Sequence, residues 1–434
     1  MELWARARHL LEEFGKGRYR YGAGALEGVG AAARELGERA LVVGNRAHLE
    51  GVFAQMEGEL AAHDVEIAGG EPIPGAGANT PVSDVARIRD AVLTHAPDFV
   101  IAVGGGSTID AVKAAAAWSA LGGELTDYFG TNQVTKALER SNKRILPLLA
   151  VQTAAGSGAH LTKYANVTFV EAGQKKLMVD EALVPRRAVF DYDVTMTVPL
   201  DVSLDGALDS MSHLVEVFFG IGEGGRERAG ELVEVGLPLI LRAAPRLLEG
   251  LSDSQTRTEL GLAADLGAYA IMIGGTNGPH LNSFSLVDLA SHGRACAILG
   301  PYYAAFFAPA IGPQLRLVAR IFEEAGYLSS DVQGLTGRDL GLAVAHGMLS
   351  FLESLGYPTS LQELPGFDYR FVEQALAAAA DLQLAMKLQN MPIPFTSADI
   401  DRYMRPLLDA AVIGDLAKVP FLTSVVNLHS LGEE

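Results

Sequence analysis

Between residues 39 and about 190 the chain alternates short apolar runs with stretches of helical spacing, and this alternation restricts its fold more than any other feature. The runs are RALVVG, HDVEIA, PDFVIAVGGG, RILPLLAV, YANVTF and RRAVF. Residues 81–95 and 107–121 keep apolar side chains at helical spacing, with Gly122 and Gly123 as a stop signal. Strands that alternate with helices pair in parallel, so an α/β domain on a parallel sheet is expected. After Pro199 the texture changes. Segments such as ELVEVGLPLILRAAPRLLEGL and FVEQALAAAADLQLAMKL are rich in Ala and Leu and nearly free of β-branched alternation, which predicts an all-helical second half. The phrase VPLD breaks the last sheet-like run, so the expected domains are 1–198 and 199–434. A total of 434 residues exceeds the ~250–300 that one hydrophobic core usually supports, which also argues for more than one domain.

Composition removes several classes of function. The formal net charge of −18, with Lys and Arg scattered, repels nucleic acid and anionic membranes. No apolar run approaches the roughly 20 residues that cross a bilayer. The single cysteine, Cys296, excludes an internal disulfide framework, and MELWARARHLLEEFGKGR is charged and amphipathic where a signal peptide would carry an apolar core. A cytoplasmic protein is expected.

Two loops suit a ligand. In DFVIAVGGGSTIDAVKAAAA an apolar run enters Gly104, Gly105, Gly106 and Ser107, and a helix opens directly after. Glycines let the backbone approach an anion, and the helix start adds free N–H groups with a partial positive charge, so a pyrophosphate is the ligand such a turn favours. A tight turn with nothing bound gives the same pattern. The stretch is not GxGxxG, because Ile109 stands at the third glycine, and the look-alike GAGALEG at 22–28 follows RYRY rather than an apolar strand. The second loop, after ILPLLAV, holds Gln152, Thr153, Gly156, Ser157, Gly158, His160 and Thr162. Small and hydroxylated residues at the carboxyl end of a parallel strand suit a ligand crevice.

LDSMSHLVE reads as helix, yet Asp209, His213 and Glu216 share one of its faces at spacing i, i+4, i+7. A solvated face is one explanation. Together with His280 and His292 in TNGPHLNSFSLVDLASHGRACAIL, the pair Asp209 and His213 makes a set of one carboxylate and three imidazoles suited to Fe(II) or Zn(II). His280 and His292 then have to come from neighbouring helices. Glu216 either orients His213 or another ligand or lies on the helix surface. His9, His48, His63, His95, His346 and His429 sit in charged or turn-like contexts and are expected at the surface or in caps.

The order GGGSTID, TAAGSGAHLT, GALDSMSHLVE, then PH and HG resembles the iron-containing (group III) alcohol dehydrogenases, which share their fold with glycerol dehydrogenase and dehydroquinate synthase. The resemblance implies an N-terminal α/β nucleotide domain, a C-terminal all-α metal domain, and an active site in the cleft between them. It implies metal ligation by Asp209, His213, His280 and His292, through which catalysis acts. It implies a dinucleotide loop of Gly105, Gly106, Ser107 and Asp110, with further cofactor contacts from Thr153, Ser157, Thr162 and Lys176, the lysine chosen over Lys175 from KLMVDEALVP. The implied protein is a metal-dependent alcohol dehydrogenase or aldehyde reductase using Fe(II) or Zn(II) and NAD(H) or NADP(H). Its partners would be a small alcohol or aldehyde and further copies of itself, as a homodimer or higher homo-oligomer. A hydroxyacid-oxoacid transhydrogenase uses the same parts, and a dehydroquinate synthase-like lyase would need a basic pocket that Arg294 alone does not make.

The chain also departs from the family pattern. Phe284 stands where many relatives carry a further histidine, QTAAGSGAH replaces PTTAGTGSE, and the spacing from His280 to His292 is about two residues shorter than in some relatives. Asn45 occupies the strand end at which NAD-specific members often place an Asp, with Arg46 adjacent, so NADPH is not excluded.

Overall fold

The computed structural model describes residues 2–172, 174–328, 332–393 and 395–422. Its strands are β1 (Tyr19–Tyr21), β2 (Arg39–Gly44), β3 (Glu66–Ile67), β4 (Phe99–Gly104), β5 (Gly130–Thr131), β6 (Leu148–Gln152), β7 (Tyr164–Phe169), β8 (Gln174–Val179) and β9 (Arg187–Phe190). A six-stranded sheet runs in the order β1-β9-β6-β4-β2-β3, and every neighbouring pair in it is parallel. Its central strands are buried on both faces. Leu41, Val43, Val100 and Ala102 join one core, while Ala40, Val42, Phe99, Ile101 and Val103 join the other. That is why these strands read as continuous apolar runs rather than as alternation.

YANVTF is a strand but stands outside this sheet. As β7 it pairs antiparallel with β8, which pairs parallel with β5, in a sheet of three. RYRY contains an edge strand, β1, held by its pairing with β9, and Tyr19 is its buried side chain. Edge strands need only one apolar face, so three residues with two tyrosines suffice. Tyr19–Tyr21 therefore precedes the 22–28 glycines as a strand, and Leu26 N–H there donates to Asp191 Oδ2 at 3.1 Å.

By its contacts the chain forms two compact units. One comprises Arg8–Ser203 and Ser252–Ala268, the other Met1–Ala7, Leu204–Leu251 and Tyr269–Glu434. The change of texture near residue 199 marks the end of the strands, whereas contacts return the 252–268 segment to the sheet unit. Its anchor is Asp265, fully buried, whose Oδ2 accepts from the hydroxyls of Tyr192 (2.6 Å) and Tyr19. His160 Nε2 lies 3.1 Å from Asp265 Oδ1. A Cβ at Gly261 would lie 2.3 Å from the Tyr192 ring, so the segment seats closely against it. Periodicity carries no signal for such an anchor, because a lone Asp in a helical stretch looks like surface. The other unit is built on the helices Leu200–Gly220, Glu223–Leu248, His292–Phe307, Gly312–Glu324 and Gly337–Ser354, around buried Tyr303, Phe306, Phe322 and Phe351. Among the described residues no helix is long and apolar enough to cross a membrane.

The helix Gly106–Leu121 is tied to β7 by a buried pair. Asp110 Oδ2 accepts from the backbone (3.0 Å) and side chain (3.2 Å) of Asn166. Lys113 Nζ donates to the carbonyls of Thr162 and Tyr164, both at 2.8 Å. Burial pushes the Lys113 ammonium down to about 8, against the partial opposition of Asp110. Between that value and the ordinary 10.5 the unfolded chain binds more protons than the folded one, so this residue makes stability rise with pH in that window. Comparing wild type with Lys113→Met by thermal unfolding from pH 7 to 10.5 should show a wild-type midpoint that gains on the variant as pH passes 8. Parallel curves would show that Lys113 titrates normally.

Candidate metal centre and dinucleotide loops

Asp209, His213 and Glu216 lie on the helix Leu200–Gly220 with all three side chains buried. The face is turned inward, so each polar atom needs a partner. Two further helices supply them. Gly278–Ser283 carries His280 and is capped by Asn277, whose Oδ1 accepts the Gly278 N–H at 2.7 Å. His292–Phe307 opens with His292 behind the cap Ser291. A Cβ at Gly293 would lie 2.1 Å from the Asp205 carbonyl oxygen and 2.8 Å from Asp209 Cβ, so only glycine lets this helix start approach Asp209 so closely. Arg294 holds the same approach through two bonds to the Asp205 carboxylate at 3.0 and 3.2 Å.

The donors converge on one carboxylate oxygen. Asp209 Oδ1 lies 3.6 Å from His213 Nε2, 3.6 Å from His280 Nε2 and 3.9 Å from His292 Nε2. The far sides of two rings are fixed: His280 Nδ1 meets Glu216 Oε1 at 2.6 Å, and His292 Nδ1 meets Ser283 Oγ at 3.0 Å. Glu216 is itself held by the Asn277 N–H at 3.0 Å. It orients His280 rather than His213. Asp209 Oδ1 and His280 Nε2 are buried without a hydrogen-bond partner. An unpartnered buried acceptor costs about 1–3 kcal/mol, and lone pairs aimed at a common point are what a bound cation requires.

Charge supports the same fit. Burial alone would raise the Asp209 carboxyl, but His213, His280 and His292 outweigh it and hold the group below the usual carboxylate range. Burial pushes His213 down to about 4. At neutral pH Asp209 is therefore an anion and His213 a neutral imidazole, the forms that bind metal. One carboxylate with three imidazoles suits a divalent transition ion.

Three neighbours were not read as site residues in the sequence. Ser283 buttresses His292. Lys387, buried, donates to Thr276 Oγ1 at 2.5 Å and lies 5.2 Å from the Phe284 ring centre, while that ring stacks on His292 at 5.8 Å. Phe284 thus packs on one of the converging imidazoles, and a lysine from a distant segment brings charge beside it. Cys296 is the third, with ligand atoms of Asp209, His280, His292 and Cys296 all within 4.8 Å of one another. Its signal was legible as the i, i+4 spacing from His292. Elsewhere, His63 and His346 bond carbonyls one turn back and His9 pairs with Glu13. His429 lies outside the described residues.

In the sheet unit, β4 runs through Gly105 into the helix Gly106–Leu121. A Cβ at Gly106 would lie 2.7 Å from Ser157 Oγ, so the two loops touch there. Thr153 N–H donates to the Gly104 carbonyl at 3.1 Å, and Thr80 Oγ1 to that of Ser107 at 3.1 Å. Gly105, Gly106, Ser107, Thr153 and Ser157 are thereby gathered at the carboxyl edge of β4 and β6. Thr162 is buried, with its carbonyl on Lys113. Asp110 faces Asn166 beneath this edge, and Lys176 lies over the rings of Phe129 and Phe169, at 6.0 and 5.1 Å. Beyond β2, Asn45 Oδ1 accepts the Gly75 N–H at 2.9 Å, and Arg46 is held by Glu50 (2.9 Å) and Glu57 (2.6 Å).

Residues 16–192 match the model of the family described as iron-containing alcohol dehydrogenase. The chain is 26% identical over 325 residues to long-chain-alcohol dehydrogenase 1 of Geobacillus thermodenitrificans, covering 74% of this chain and 76% of the relative. It is 24% identical over 269 residues to the NAD-dependent methanol dehydrogenase of Bacillus methanolicus, covering 62% and 67% respectively. Its fold matches the crystal structure of NADH-dependent butanol dehydrogenase A from Thermotoga maritima with a TM-score of 0.74 at 22% identity, over 91% of this chain and 96% of that one.

If Glu216 orients His280, Glu216→Gln should weaken Zn(II) binding to the metal-free protein by about 10–100-fold, as loss of a buttress behind a metal-binding histidine does. Competition with a chromophoric chelator measures this directly. An unchanged affinity would leave Glu216 as a helix cap for Asn277 alone.

Proposed function

We propose that the chain is a member of the iron-containing alcohol dehydrogenase family, which its residues 16–192 match, and that it is a metal-dependent, NAD(H)-linked alcohol dehydrogenase that reduces small aldehydes. The observation that carries this reading is the set of three imidazole Nε2 atoms at 3.6, 3.6 and 3.9 Å from one buried, hydrogen-bond-orphaned carboxylate oxygen. Asp209, His213, His280 and His292 would hold Fe(II) or Zn(II), which supplies Lewis acidity to the substrate oxygen, while a nicotinamide supplies or accepts hydride.

The protein's own contribution is geometry and charge. Asp209 would offset part of the charge of a bound ion, and imidazoles, which bind metal in their neutral form, would leave it acidic. Glu216 and Ser283 fix the rings of His280 and His292, so ligand positions are set before substrate arrives. Phe284 covers one side of His292 with an apolar ring, which favours the hydrocarbon part of an aldehyde over water. On the sheet unit, Gly105, Gly106 and Ser107 open a helix whose free N–H groups suit the pyrophosphate, and Thr153 and Ser157 line the adjoining loop. Asp110 acts from beneath by holding Asn166. At the end of β2, Glu50 and Glu57 engage Arg46, so its charge is not available to a 2′-phosphate, and two carboxylates repel one. We therefore favour NADH over NADPH.

The test is anaerobic. Metal is stripped, Fe(II) or Zn(II) is restored separately, and NADH and NADPH absorbance is followed with short and aromatic aldehydes. Turnover should vanish on stripping and return with metal, faster with NADH. Sustained turnover without metal would refute the metal dependence, and hydride exchange between a hydroxy acid and an oxo acid without net change in nicotinamide would replace the reading by a transhydrogenase. For cofactor choice, the double variant Glu50→Gln, Glu57→Gln releases Arg46 and should raise kcat/KM for NADPH by roughly tenfold relative to NADH, the scale of one phosphate contact near a surface. An unchanged ratio would remove this arginine from the cofactor end of the site.

A further inference from the structure

Cys296 stands one turn after His292 in the helix His292–Phe307, fully buried. The spacing that places Asp209 and His213 on one helical face does the same for His292 and Cys296. A buried free cysteine is ordinarily a small hydrophobe, and many positions in this helix are filled by alanine. The surroundings here are different. The ligand atoms of Asp209, His280, His292 and Cys296 lie within 4.8 Å of one another. Donors at about 2.1 Å (nitrogen or oxygen) and 2.3 Å (sulfur) on opposite sides of one ion are separated by roughly 4.4 Å, so the four atoms need only a small contraction to surround it. Asp209 Oδ1 and His280 Nε2, each buried and unpartnered, aim at the same space.

We propose that Cys296 is a fifth metal donor, joining Asp209, His213, His280 and His292 through a sulfur–metal bond that forms as the thiol proton is released to solvent. The inference rests on the metal reading above and adds the identity of the preferred ion. A thiolate is a soft ligand, so its presence would shift the site from Fe(II) towards Zn(II). With Asp209 it would also neutralise the two charges of the ion. The proton presents no obstacle, because a coordinating thiol is deprotonated by the metal itself.

The experiment uses the full chain stripped of metal and titrated anaerobically with Co(II), followed by absorbance. Wild type should bind one Co(II) with a sulfur-to-metal charge-transfer band in the near ultraviolet. Cys296→Ser should still bind Co(II) but lose that band, and in competition its preference for Zn(II) over Fe(II) should fall at least about tenfold, the scale on which a soft ligand biases such a site. Cys296→Ala, with the thiol replaced by a residue common in this helix, guards against a folding defect and should lose the band too. Stoichiometric Co(II) in wild type without the band, or identical spectra for wild type and Cys296→Ser, would overturn the thiolate while leaving the metal site intact. Asp209→Ala separates the two readings: it should abolish Co(II) binding, and a wild type that binds no Co(II) would overturn the site and the thiolate together.

Discussion

The side-chain cluster of the helical unit is organised around one buried carboxylate. Asp209 is an anion inside a helix bundle, and an isolated charge there carries a desolvation penalty of several kcal/mol unless other groups answer it. The local structure supplies those groups: imidazoles from the same helix and from the starts of two others, each ring nitrogen facing Asp209 and two of the three rings buttressed from behind. Gly293 allows the approach, Arg294 and Asp205 lock it, and Asn277 joins the cap of one helix to the Glu216 that orients His280. A cluster this specific is a poor solution for stability alone, since apolar residues of the same volume would pack without the penalty. Its form makes sense as a place for a cation.

The sheet unit solves a different problem, the close approach of two loops. Gly106 exists so that Ser157 can sit against the backbone, and Gly158 so that Ala268 can, with a would-be Cβ only 2.4 Å from the Ala268 Cβ. Behind that edge Asp110 and Lys113 pin the helix to β7, and Asp265 pins the 252–268 segment through two tyrosines. His160, which replaces an acid in the usual family loop, is drawn into that buried network instead of facing the loop. Its neighbours therefore hold the loop's shape behind the glycines and hydroxyls that precede it.

Much of this was readable from pattern. Strands β2, β4, β6 and β9 and the helices Val82–His95 and Gly106–Leu121 follow apolar runs and helical spacing closely. The strands that escaped notice, β1, β5 and β8, are short or rich in Tyr, Gly and Lys, because they sit at an edge or in a small sheet where one face suffices. Within the site, the Asp209 and His213 pair was legible because helical spacing makes i and i+4 neighbours. Cys296 was equally legible in spacing, yet its meaning depended on what stood opposite. Lys387 had no signal: it lies in a stretch that reads as amphipathic helix, more than a hundred residues from the Phe284 it approaches.

The sequence by itself determined the parallel α/β half, the helical half, the strand-to-helix glycine turn and one pair of donors on one helix, since each follows from interactions within a few residues along the chain. Tertiary structure alone decided which carboxylate the imidazoles share, that Glu216 serves His280 and not its own helix neighbour His213, that residues 252–268 belong with the sheet, and that Arg46 is engaged by Glu50 and Glu57. These outcomes depend on how buried charges find partners across distant segments. Local spacing fixes which face a side chain occupies, but the opposing helix determines what it meets.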